Sequence, residues 1–103
     1  MNTLLGPAML GIVLALSSAE EAMSGQRHPY VGMWVTAEGY VRHELLPNGR
    51  YDEARGDRES AYRGRYEVTG EHIEYWDDTG FTVDGDFIDG VLHHGGMILY
   101  RRE

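Results

Sequence analysis

The chain has 103 residues, a formal net charge of −8 at pH 7, nine basic residues that are all arginine, and no cysteine. That is enough for one domain, and a small one. The missing cysteine excludes disulfides, thiolate nucleophiles and cysteine metal sites, the missing lysine excludes Schiff-base and P-loop chemistry, and the acidic balance argues against nucleic acid or anionic lipid as partner.

Residues 1–27 differ in composition from the rest. Leu4 to Leu16 is uncharged and apolar almost throughout. Thirteen residues are too few for a membrane span, which takes about 20, so none is expected. The run has the length of a secretory core, and Ser17-Ser18-Ala19 offers small residues for cleavage. Against an export signal stand Pro7 and the absence of lysine or arginine from Met1 to Leu5. An exported or periplasmic location follows from a signal peptide. A cytoplasmic one follows from a poorly ordered extension or from a helix packed on the domain.

Residues 28–103 carry the domain. Short alternating runs are broken by turn residues every eight to twelve positions, the pattern of an all-β chain. The breaks fall at Glu38-Gly39, Pro47-Asn48-Gly49, Gly56-Asp57, Thr69-Gly70, Asp78-Thr79-Gly80, Asp89-Gly90 and Gly95-Gly96. They predict eight strands, and links this short make neighbouring strands antiparallel. The expected architecture is an eight-stranded antiparallel up-and-down barrel without helices, which also removes exposed edges.

In the first strand, Gly32 and Trp34 share a face in "HPYVGMWVT". The tryptophan is expected to plug one end of the barrel, with the glycine leaving room for its ring. In the second, Tyr40–Leu46, the residues Val41, His43 and Leu45 oppose Tyr40, Arg42, Glu44 and Leu46. His43 is read as a hydrogen-bonded core residue rather than a base. In the third, Arg50–Arg55, neither face is apolar. Either this is an edge-like strand with solvated charges, or Tyr51, Glu53 and Arg55 point into a polar mouth. Eight strands enclose room for packed side chains or for one small ligand.

In Ala61–Val68, the face of Tyr62, Gly64, Tyr66 and Val68 opposes Arg63, Arg65 and Glu67. In Phe81–Ile88, the face of Phe81, Val83, Gly85 and Phe87 opposes Thr82, Asp84 and Asp86. One face is wet and the other dry, as in an antiparallel sheet around one core. Gly64 and Gly85 lie mid-strand on the apolar face, where glycine marks a bend or a close backbone approach. Asp77, Asp78, Asp84, Asp86 and Asp89 do not match calcium-loop spacing, and Asp78 and Asp89 sit where aspartate caps turns. His93 and His94 point to opposite faces of a strand and cannot both hold one ion. A three-ligand zinc site needs distant partners that the spacing does not mark, so no metal or other cofactor is expected.

The G-x-W opening resembles that of lipocalins and avidins, where the tryptophan packs against a terminal arginine. Arg101 and Arg102 stand in that place, suited to a cation–π lid. "HPYVGMWVT", "ELLPNGRYDEARG", "SAYRGRY", "DDTGFTVDGDF" and "LHHGGMILYR" resemble a small bacterial family described as candidate ligand-binding proteins with a streptavidin-like fold. The likeness covers nearly all of His28–Arg101. It implies an eight-stranded barrel or sandwich and a ligand cavity, and it names neither a ligand nor a reaction. Beyond architecture the chain does not resemble biotin-binding avidins.

Three functions are weighed on these residues. The first is a non-catalytic small-molecule barrel with a cavity lined by Trp34, Tyr51, Glu53, Arg55, Tyr66 and Tyr75, aromatic bodies with polar tips. The second is a filled barrel that binds another protein through Trp76. The third is a small isomerase or cyclase in which Arg42, Glu44, Glu53 and Tyr66 meet, an analogy at the level of fold. Oligomeric state is not legible.

Overall fold

The computed structural model describes residues 27–103. The expectations for residues 1–26, a signal peptide or an extension, lie outside the described residues. Eight strands follow in chain order: β1 (Gly32–Thr36), β2 (Val41–Leu45), β3 (Arg50–Arg55), β4 (Arg58–Thr69), β5 (His72–Asp77), β6 (Thr82–Ile88), β7 (Val91–His94) and β8 (Met97–Arg101). Each pairs antiparallel with the next, and β1 pairs with β8 to close the barrel. All seven expected breaks are turns, and no described residue is helical.

The meander gives the barrel two different ends. Turns after β1, β3, β5 and β7 gather at one, here the mouth. Turns after β2, β4 and β6 gather at the other, the base, together with the entry to β1 and the exit from β8. The core runs between them: Trp34, Val41, Leu45, Tyr51, Tyr66, Val68, Ile73, Tyr75, Phe87, Leu92 and Leu99 are buried in one cluster.

The base is sealed by rings. Tyr30 stacks on Phe87 with centroids 3.6 Å apart, and Trp34 leans on Phe87 at 5.2 Å. The Trp34 indole donates to the Tyr30 carbonyl at 2.9 Å. Arg101 lies 4.7 Å over the Trp34 ring and donates to the Val31 and Pro29 carbonyls. The role expected of Gly32 needs correction. A Cβ there would stand 3.1 Å from the Arg101 guanidinium, so the glycine makes room for the arginine rather than for the indole. Its φ of +140° also favours glycine.

The mid-strand glycines are close approaches, as expected. A Cβ on Gly64 would lie 2.2 Å from the Trp76 carbonyl oxygen, and one on Gly85 would lie 2.5 Å from that of His93. β3 is not an edge: β2 pairs with one side and β4 with the other. Its register against β4 shifts between Glu53 and Arg55, and Ser60 opposite takes a φ of 50°. This bulge bends the long β4 at the mouth, a common device beside functional sites.

Candidate functional site: a polar mouth in a closed barrel

At the mouth the interior turns polar. Tyr51, Glu53 and Arg55 of β3 point inward, and with Tyr62, Phe81, Val83, His94, Gly95 and Met97 they line a cavity of about 240 Å³. Its upper wall is aromatic: Tyr62 and Phe81 meet edge to face at 5.9 Å, and Arg55 lies 4.8 Å over Tyr62. The volume corresponds to about eight waters of liquid, the size of a single-ring molecule.

Below the rings lies a charged core. Glu53 is 2% exposed, His43 is fully buried and His94 is 7% exposed. Burying a carboxylate is costly unless it is paired. Glu53 is paired twice. Its Oε1 lies 2.9 Å from His43 Nδ1, and its Oε2 accepts from Arg55 Nε at 2.7 Å. Burial pushes the Glu53 carboxyl up, but the hydrogen bonds and charges of His43 and Arg55 outweigh it and hold the group below the usual range. A carboxylate only accepts, so His43 Nδ1 carries the proton. Its Nε2 lies 3.0 Å from the Tyr75 hydroxyl, within hydrogen-bond reach. Burial, and then the Glu53 charge, push Tyr75 well above the ordinary phenol value, so the proton stays on its oxygen.

His94 is the exception. Its Nε2 is 4.0 Å from Glu53 Oε1, too far for a hydrogen bond, and its buried Nδ1 has no hydrogen-bond partner. Burial first, then the neighbouring His43, lower it to about 4, so the ring is neutral. The ring sits where Gly85 of β6, paired with it, presents no side chain. His93 faces the other way, as strand alternation requires.

The remaining expected residues separate. Tyr51 donates to Asp77 at 2.9 Å beside the cavity. Tyr75 stands deeper, its ring 4.4 Å from that of His94 and 5.1 Å from that of His43. Trp34 belongs to the base. So does Tyr66, whose hydroxyl donates to the Leu46 carbonyl and meets His28 Nε2, both at 2.7 Å. Burial pushes its pKa up to about 12. The catalytic quartet does not assemble, because Arg42 and Glu44 fall on the outer face opposite His43.

Trp76 is half-buried on the outside under Arg65, whose guanidinium is 4.1 Å from its ring. The turn at Asp78 is capped by its neighbour: Asp77 Oδ2 takes the Thr79 amide and hydroxyl, while Asp78 pairs with Arg50 at 2.6 Å.

Sequence reasoning missed that His43, Glu53 and His94 converge, with one ligand-type atom from each within 4.8 Å of the others. Part of the signal was there. A hairpin centred on Asn48 pairs position 43 with position 53, and the register does so. The arrival of His94 depends on barrel closure and carries no local signature.

Together these features define a small, closed, all-β barrel with an aromatic plug at its base and a polar cavity at its mouth. The chain belongs to the family described as Agrobacterium tumefaciens protein Atu4866, whose model matches residues 27–101. It is similar to the protein of the solution structure of Atu4866 from Agrobacterium tumefaciens. The two are 71% identical, and the match has a TM-score of 0.67 and covers 76% of this chain and 100% of that one. No curated protein matches the chain. Among the described residues, no helix is long and apolar enough to cross a membrane.

Proposed function

We propose that this protein binds a small organic molecule in the cavity at the barrel mouth, without turning it over. The observation that carries the proposal is the unequal filling of the interior. The base is packed with rings, while the mouth keeps a recess of about 240 Å³ above buried Glu53 and His94. Pockets of this composition, aromatic walls with a few fixed polar groups, suit ligands with a flat apolar body and one polar end. The resemblance to streptavidin-like ligand-binding barrels points the same way. Tyr62 and Phe81 would sandwich or edge a ring. Arg55 at the rim and His94 deeper in would meet the polar end.

Binding rather than catalysis fits the lining. It has no serine, threonine, cysteine or lysine, and its charged pair is tied up internally. An occupant of this size gives modest affinity, because few heavy atoms make contact.

Amide NMR of the full chain, titrated with indole, p-cresol, benzoate and benzylamine, tests this. At least one probe should give saturable shifts confined to Tyr51, Arg55, Tyr62, Phe81, Gly95 and Met97, and the contrast of benzoate with benzylamine reports the preferred charge. Silence from all four, or shifts spread over the outer face near Trp76, would turn the assignment toward a protein-binding module.

A further inference from the structure

We propose that His43, Glu53 and His94 form a binding site for a divalent transition-metal ion, Zn²⁺ by ligand chemistry, beneath the mouth cavity. The three come from β2, β3 and β7, and each is at least nine-tenths buried. Two imidazoles and one carboxylate are the donor set of three-ligand zinc centres, which keep a further position open.

The spacing fits. Two donors on one zinc, at about 2.0–2.1 Å from it, lie about 2.9–3.4 Å apart. His43 Nδ1 and Glu53 Oε1 are already 2.9 Å apart, and His94 Nε2 is 4.0 Å from the same oxygen. The three donor atoms lie within 4.8 Å of one another, so a shift of up to about 1.4–1.9 Å by the His94 ring completes the set. That ring can move toward Glu53, because at 4.0 Å no hydrogen bond fixes it there.

The surrounding groups match what metal ligands need from their neighbours. With the ion on His43 Nδ1, that ring carries its proton on Nε2 and donates it to the Tyr75 oxygen, 3.0 Å away. Arg55 holds Glu53 Oε2 at 2.7 Å and leaves Oε1 to the ion. The open position faces the cavity, where water or a ligand's donor atom would complete the shell. The ion would bind whether or not an organic molecule occupies that space.

An exposed cluster supplies the competing explanation. His72 lies 2.9 Å from Asp86, 3.4 Å from Asp84 and 3.8 Å from Glu74 on the outer face, where a cation could gather weakly. The test is a Zn²⁺ titration of the EDTA-treated full chain, followed by calorimetry and by imidazole ¹⁵N NMR. One equivalent should bind at micromolar or tighter affinity, with the ring nitrogens of His43 and His94 shifting. His94→Gln should weaken binding at least about tenfold, and His72→Gln should leave it unchanged. If His94→Gln does not fold, the wild-type imidazole spectrum decides alone. Zinc shifts confined to His72, or none at millimolar zinc, would overturn the proposal.

Discussion

At the scale of single residues, two histidines are neutral near pH 7 in the folded state: the half-buried His28 and the buried His94. Burial lowers both His28 and His94, and His94 reaches about 4. Unfolding returns each toward 6.5, so below that value these two sites bind more protons in the unfolded chain than in the folded one. Their contribution is complete above about pH 6.5 and drains away as pH falls toward 4. Glu53, also lowered, adds a loss of the same sign at the acid end. Urea unfolding at pH 7.5 and pH 4.5 should differ by about 2–3 kcal/mol in favour of pH 7.5. His94→Gln should flatten the difference, and equal stability at the two values would contradict the neutral-histidine assignment. Gly85 is the second residue to probe. Ala there would press its methyl on the His93 carbonyl and the His94 side chain. Gly85→Ala should lose at least about 2 kcal/mol in chemical denaturation and shift the His94 resonances. Gly39, with nothing near its would-be Cβ, should show no such steric cost beyond its φ.

At the scale of elements, strands and turns were legible because the punctuation is strong and the alternation clean. Tyr62, Gly64, Tyr66 and Val68 point inward as their spacing predicts. β3 shows where pattern fails. RYDEAR has no apolar face, so periodicity could not orient it. What orients it is pairing on both sides and the bulge opposite Arg55, features of closure rather than of local sequence. The β1–β8 seam is the element whose loss should matter most. Arg101 holds it with a ring contact and two carbonyl bonds, whereas the exposed Arg102 contributes its backbone amide to Met33. Arg101→Ala should cost about 2–3 kcal/mol and speed amide exchange in β1, while Arg102→Ala should stay within about 0.5 kcal/mol. The reverse order would show that the seam is held otherwise.

At the scale of the whole molecule, the barrel is asymmetric from end to end. Rings and a cation close the base, and a charged, partly open interior forms the mouth. The polar triad became visible only once the sheet closed, since β7 reaches β2 and β3 across the interior and not along the chain. The outer surface has its own asymmetry. Ile88, Ile98 and Tyr100 are exposed, and Tyr100 pairs with Val91. This apolar strip was too faint in the sequence to single out.

The central claim is that the mouth cavity is a binding site. It is tested most directly by filling the cavity from a wall residue outside the polar triad. Val83 lines the recess and is partly buried against the core. The measurement is the dissociation constant of the tightest of the four ring probes for the wild-type chain and for Val83→Phe, read from amide shifts. The account predicts saturable binding to the wild type and a loss of at least about tenfold in the variant, whose spectrum stays dispersed. An unchanged dissociation constant in Val83→Phe, or no binding of any probe to the wild type, would contradict it.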